Sequence, residues 1–304
     1  EYISRLPIVS HPELLGRKAE ELASETVKRL FRSQLGSVAF ALITQLWISV
    51  YVVALQRKAD CPTNLEVRRA NAIVRSLQKS PARLKYRPMT CSRRIEAHSD
   101  SAFCREQDKG YGIRGCNLIR VGKSLSDPVE QIVNLLEGIS KSHKLVCRNV
   151  FSSELLGACE AGESLMAIGW RMHEVQVGPA VSMTETKRQM ESCTHSFNLI
   201  LATDSMSIFS ALGMTTTKAP ADKSMAIHLY WLREQLVLRR IHAIMWFDTR
   251  DMTADGHTKG VVARDLLLDL QRGRFKLRYD SKYYEVPKQV TAGKKQTTDP
   301  REKS

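Results

Sequence analysis

The chain has 304 residues, 43% of them hydrophobic and 26% charged, the profile of an ordinary globular protein able to bury one large core or two smaller ones. Its net charge of +14 and pI near 9.6 single out a polyanionic partner, nucleic acid first and an anionic membrane surface second, against the blander alternative of a merely basic protein. Seven cysteines, an odd set with no CxxC pair, argue against a disulfide framework or a zinc ribbon and for a reduced intracellular compartment. Cys193 and His195 could share a metal, but no second pair at ligand spacing supports them.

Residues 13–79 read as helical. Within them, residues 38–55 (VAFALITQLWISVYVVAL) carry no charge and just reach the length of a membrane-spanning helix. Thr44, Gln45 and Ser49 interrupt the run, and basic residues on both flanks (Lys28, Arg29 and Arg32; Arg57 and Lys58) give no orientation signal. A buried core helix is the better reading. In TNLEVRRANAIVRSLQKS, Val67, Ala70, Val74 and Leu77 fall at helical spacing, while Arg68, Arg75 and Lys79 occupy another face, solvated or set against phosphates.

From Pro81 the texture changes. Residues 94–103 and 111–121, divided by the turn-prone REQDKG, predict paired strands, and a third strand is expected at 144–149. SSELLGACEAGESLMAIGW predicts a helix that Ser153 can cap, with Gly157, Ala158, Ala161 and Gly162 permitting close approach. FNLILAT (197–203) predicts a buried strand, Met225–Leu236 a helix, IHAIMWF (241–247) the last strand and Leu266–Leu270 the final helix. The polar, basic end from Pro287 reads as disordered. Three strands followed by alternating units imply an α/β fold: a mixed five-stranded sheet with helices on its faces, behind a small helical unit. The resulting division is residues 1–85, 86–280, and a basic disordered tail over 281–304.

Four carboxylates break this pattern. Asp100 lies within the first strand, Glu154 opens the helix after the third, Asp204 ends FNLILAT and Asp255 opens a helix in DMTADGHTKG. A carboxylate inside or at the end of an apolar strand is costly unless paired or bound to a cation. Strand ends of such a sheet converge on one edge, where ligands bind. Acids gathered there repel one another, and hard divalent ions with oxygen ligands, Mg²⁺ or Mn²⁺, are the natural remedy. On a basic protein this pattern points to two-metal phosphodiester hydrolysis, against the alternative that each acid is a cap or a surface ion pair.

The order SDSAF, SSELLGACEA, ATDSMSIFSAL, KSMAIHLYWLREQL and MTADGHTKG resembles the ribonuclease H domain of copia-type LTR retrotransposon Pol polyproteins. FRSQLGSVAFALITQLWISVYVVALQRKADCPTNLEVRRANAIVRSLQKSP resembles the end of the reverse transcriptase domain before it, so the likeness covers roughly residues 25–275. It implies a ribonuclease H-like fold behind a thumb or connection remnant, with 38–55 a buried helix rather than a membrane span. It also implies a nuclease for the RNA strand of RNA–DNA hybrids, an upstream polymerase domain as partner, and residence in the cytoplasm, in virus-like particles, and in the nucleus. Asp100, Glu154, Asp204 and Asp255 match the family's metal-binding acids. The family mechanism has Asp100 bridge two Mg²⁺ ions, with Mn²⁺ a substitute, and Asp255 help hold the ion that activates water. Glu154 and Asp204 hold the ion facing the leaving oxygen, with Glu154 near the RNA 2′-hydroxyl.

The chain departs from the family at FCREQDKGYGIRG, at KSMAI, and at His257, which replaces an apolar residue and reads as a solvated helix position. It has no Tyr-x-Asp-Asp motif, so it cannot by itself polymerise DNA. The alternative is a decayed retroelement copy that keeps the fold and binds nucleic acid without cutting. An integrase fits less well, lacking the paired His and Cys module.

Overall fold

The computed structural model describes residues 1–16, 19–89, 92–103, 111–123, 130–191, 196–213 and 220–287. Helix α1 (Glu25–Ala41) begins where Ser24 accepts a hydrogen bond from the Val27 amide (3.4 Å), and it buries Val27, Phe31, Leu35 and Val38 as one stripe. Helix α2 (Ser49–Gln56) follows a short 3₁₀ turn (Leu46–Ile48), and α3 (Asn64–Lys79) starts from a capping box between Thr63 and Glu66. These helices enclose a core of their own that includes Leu6, Phe31, Val52, Val67 and Leu77.

The uncharged run 38–55 is therefore not one continuous helix. It breaks at the polar residues the sequence placed inside it. Gln45 donates to the Ala82 carbonyl and accepts from the Ala82 amide, both at 2.8 Å, so its buried amide is satisfied by the chain leaving α3. Among the described residues no helix is long and apolar enough to cross a membrane.

The sheet follows: β1 (Arg94–Ala102), β2 (Ile113–Lys123), β3 (Glu130–Ser142), α4 (Val150–Val177), α5 (Met183–Glu191), β4 (Asn198–Thr203), α6 (Met206–Gly213), α7 (Ala226–Val237), β5 (Ala243–Phe247), α8 (Asp255–Thr258), α9 (Asp265–Gln271), β6 (Arg274–Lys276) and β7 (Ser281–Tyr284). Among the described residues the strand order is β6-β3-β2-β1-β4-β5-β7. Strands β1, β2 and β3 pair antiparallel, β1 with β4 and β4 with β5 parallel. On one face α4, α6 and α7 cover Ile95, Ala97, Leu118, Leu199 and Leu201; on the other, Leu46, Ile119, Val133, Leu267 and Phe275 pack together.

Several expectations are corrected. The sheet has seven strands, not five: β6 and β7 lengthen its two ends, and both are too short and too charged (RFK, SKYY) to carry a strand pattern. The third strand is β3 at Glu130–Ser142, and 144–149 is instead an irregular approach to α4. Asn149, not Ser153, caps α4 by accepting from the Ser152 amide (2.8 Å). Ser153 is fully buried and bonds Ser101 (2.7 Å) and His143. Residues Ser281–Tyr284, read as the start of a tail, pair with β5. Cys193, His195 and residues 288–304 lie outside the described residues.

Candidate metal centre

β1 alternates two chemistries. Ile95, Ala97, Ser99 and Ser101 occupy one side of the strand, and Glu96, His98 and Asp100 the other, all buried. Asp100 pairs across the ladder with Gly115 of β2, while Ser99 pairs with Thr203 at the end of β4. Asp204 is the next residue after that strand, so the parallel pairing itself carries Asp100 and Asp204 to one edge.

Asp255 comes to the same edge on α8, which packs on β2 because Gly115 has no side chain. A Cβ there would stand 2.7 Å from His257 Cβ, 2.8 Å from the Ala254 carbonyl oxygen and 2.9 Å from Thr258 Cγ2. Gly157 gives α4 a comparable approach to β1, with Ser101 Cβ at 3.3 Å from the position a Cβ would take. Each of Asp100, Asp204 and Asp255 offers one carboxylate oxygen, and these oxygens lie within 4.8 Å of one another.

Glu154, the fourth acid, stands on the first turns of α4 outside that group of three. It is buried and still within electrostatic reach of them: burial, then Asp100, Asp204 and Asp255, push its carboxyl up to about 9. Burial and Asp100 raise Asp255 to about 7, and the same two causes raise Asp204. Lys259 opposes this repulsion. Its ammonium lies 2.5 Å from Asp255 Oδ1 and 3.5 Å from Asp100 Oδ1, and although burial disfavours its charge, the acids hold it above the usual lysine value. The Thr258 hydroxyl donates to Asp100 Oδ2. Lys259 and Thr258 were not among the expected site residues; their nearness to Asp255 in DGHTK was the available signal.

These residues fit a divalent cation. The donors are hard carboxylate oxygens converging from three different elements, and the raised affinity of Asp204 and Asp255 for protons reflects burial together with positive charge they lack. One ammonium balances part of that charge.

Behind the edge runs a second polar arrangement, fully buried. Burial pushes the His257 imidazole down to about 3, with Arg264 adding to the effect, so the ring is neutral. The Ser49 hydroxyl then donates to His257 Nδ1 (2.6 Å), and His257 Nε2 donates to Asn117 Oδ1 (2.8 Å). Asn117 Nδ2 donates to Thr253 Oγ1 (3.1 Å), Thr253 Oγ1 shares a hydrogen bond with His98 Nδ1 (2.9 Å), and His98 Nε2 donates to Glu96 (2.8 Å). Burial would raise the Glu96 carboxyl, but His98 and the ion-paired Arg94 hold it below its usual value. The line runs unbroken from α2 to β1. His257 is thus a fully buried structural link and not the solvated residue expected.

No protein-family model matches the chain, and the comparison with curated proteins found no match. Among solved structures the chain is similar to LC9-RNase H1, described as a type 1 RNase H with the type 2 active-site motif, at 12% identity and a TM-score of 0.26. That match covers 53% of this chain and 64% of the other, just under two thirds of its length.

Proposed function

We propose that the protein is a metal-dependent nuclease that hydrolyses the RNA strand of RNA–DNA hybrids. The observation that carries this reading is the set of three carboxylates within 4.8 Å at one strand edge, with a fourth acid pushed up to about 9 by burial and by those neighbours. Asp100, Asp204 and Asp255, with Glu154 beside them, would hold Mg²⁺ or Mn²⁺. Such ions, when bound, lower the pKa of a water and stabilise charge on a phosphodiester. Asp100 sits between Asp204 and Asp255 electrostatically, raising both. Thr258 fixes its Oδ2, and Lys259 tethers Asp255. The net charge of +14 attracts the polyanion. The resemblance to copia-type Pol proteins supports the hybrid as substrate and adds a setting: a polyprotein whose polymerase lies upstream, acting in cytoplasmic particles and in the nucleus.

A second reading draws on Lys259. With its ammonium already against Asp255 and Asp100, the fold could be kept and nucleic acid bound without cutting, as in a decayed copy. One experiment separates the two. A labelled hybrid is incubated with the protein and with Asp100→Asn across Mg²⁺ and Mn²⁺ concentrations, with binding followed in parallel. The nuclease reading expects RNA-strand cleavage that chelation stops and that Asp100→Asn lowers about 10³-fold, several kcal/mol of lost charge stabilisation, while binding persists. If wild-type protein binds hybrids and is as inert as Asp100→Asn, the second reading stands.

A further inference from the structure

The segment joining α3 to β1 forms one wall of a groove of about 770 Å³, and α9 with the start of β6 forms the other. Five cations line it: Arg83, Lys85 and Arg87 from the connecting segment, Arg272 and Arg274 from the other wall, with Trp47 also in the lining. No acidic residue lines it. Asp269 nearby partly neutralises Arg272 (3.5 Å) and Arg274 (2.9 Å). Arg83, Lys85 and Arg87 are exposed, and their side chains make no ion pair or hydrogen bond among the described residues.

Lys85 and Arg87 are held in place by their own backbone, and Arg83 follows Ala82, which Gln45 ties through both its amide and its carbonyl. The Lys85 amide donates to the Gln271 carbonyl (2.7 Å), the Arg87 amide to Asn134 Oδ1 (2.8 Å), and Asn134 Nδ2 returns a bond to the Arg87 carbonyl (2.9 Å). Leu84 tucks into the apolar cluster beneath. The alternation sets the odd-numbered side chains on one side, roughly 6.6 Å apart if the segment is extended. Three unpaired cations in a row, anchored before any partner arrives, cost stability by mutual repulsion. An arrangement of that kind fits a polyanion, and a concave row fits a rod-like one.

We infer that this groove binds the phosphodiester backbone of a nucleic-acid duplex at a place separate from the carboxylate edge. The inference rests on the nuclease reading only for the identity of the duplex, an RNA–DNA hybrid. Asn134 pairs with Arg120 on β2, whereas Ser140 and Asp100 both pair with Gly115. Six residues of strand separate the two places, roughly 20 Å, or about six base pairs of duplex. A hybrid reaching both would be gripped at the groove and presented at the edge. A membrane surface is the less fitting partner, because none of the exposed large apolar side chains among the described residues lines the groove; Tyr86, exposed between Lys85 and Arg87, stands outside its lining.

The test measures binding without metal, so that it does not depend on cleavage. Fluorescence anisotropy of a hybrid long enough to span both places is recorded in chelator over about 50–200 mM salt. The variants are Arg83→Ala/Lys85→Ala/Arg87→Ala and a charge-matched control, Arg29→Ala/Arg171→Ala/Lys223→Ala, from exposed positions elsewhere. Loss of three phosphate contacts should flatten the plot of log affinity against log salt by about 2.7 and lower affinity at least about tenfold at the low-salt end. The control should keep the wild-type slope. The inference falls if the groove variant keeps that slope, if the control loses as much, or if only phosphatidylserine vesicles show the groove-dependent loss. A wild-type protein that binds through the groove and cuts nothing would overturn the nuclease reading and leave the groove standing.

Discussion

Glu96 and Asp100 stand four residues apart on the same face of β1, and their surroundings are opposite in kind. Glu96 closes a line of buried hydrogen bonds in which each donor has an acceptor, and with Arg94 beside it the carboxyl is held below its usual value. Asp100 meets Asp204, Asp255 and Glu154, of which Glu154 is raised to about 9 and Asp255 to about 7. Burial is shared, so it does not distinguish them. What differs is whether the local chemistry is closed. A satisfied polar line holds a fold together; an acid group short of positive charge is held together by the fold and awaits a cation.

The comparison can be broken most forcefully from the closed side. Replacing His257 with Ala would leave Ser49 and Asn117 without their partner and open a cavity at a fully buried position, so urea unfolding should show a loss of about 3–5 kcal/mol. A loss under about 1 kcal/mol would mean the line is not closed as described.

On the open side the sign should reverse. Raised carboxyl values mean the folded chain holds these protons more tightly than the unfolded chain. Without metal, the stability they contribute is therefore present near about pH 4 and lost as pH rises through about 7 for Asp255 and about 9 for Glu154. Glu154→Gln should then stabilise the metal-free protein by on the order of 2–4 kcal/mol at high pH and leave thermal unfolding near about pH 4 unchanged. A destabilised variant at both pH values would mark Glu154 as an ordinary structural acid.

Gly115 is where the two regions meet, because α8 carries both His257 and Asp255. Gly115→Ala should push that helix away at a cost of about 1–3 kcal/mol, and Mn²⁺ binding followed by calorimetry should weaken. Unaltered Mn²⁺ affinity with the stability cost intact would show that the edge tolerates the shift. The mildest change is Ser49→Ala, which removes one donor at the end of the line. About 1 kcal/mol in urea unfolding is expected, with hybrid binding unmoved.

Much of this was legible beforehand. Apolar runs announced β4 and β5, and Asp204 at the end of β4 stood out because a carboxylate does not close a buried strand without reason. β3 was hidden. In EQIVNLLEGISKS only Val133 and Leu135 are fully buried, so alternation never formed, while KLVC offered a false apolar run nearby. The polar line was hidden by distance, since its members come from α2, β1, β2, the loop before α8 and α8 itself. Glu96 and His98, at every second position of β1 leading to Asp100, were its trace in the sequence, and of the three only Asp100, which belongs to the acid group, was read. His257 was misread because a helix of four residues has no periodicity by which to find its buried side.

The hydrogen bond between Ser49 and His257 spans 208 residues. During synthesis at roughly 5–20 residues per second, Ser49 leaves the ribosome about 10–40 s before its partner exists. The helices of residues 25–79 can close around their own apolar cluster in that interval, but α2 must hold the face that will receive α8 open until α8 itself is made. Asp255 arrives with that same late segment. A nascent or truncated chain that stops before α8 would display Asp100 and Asp204 without the third acid and without Lys259, so the edge is completed only when that segment arrives.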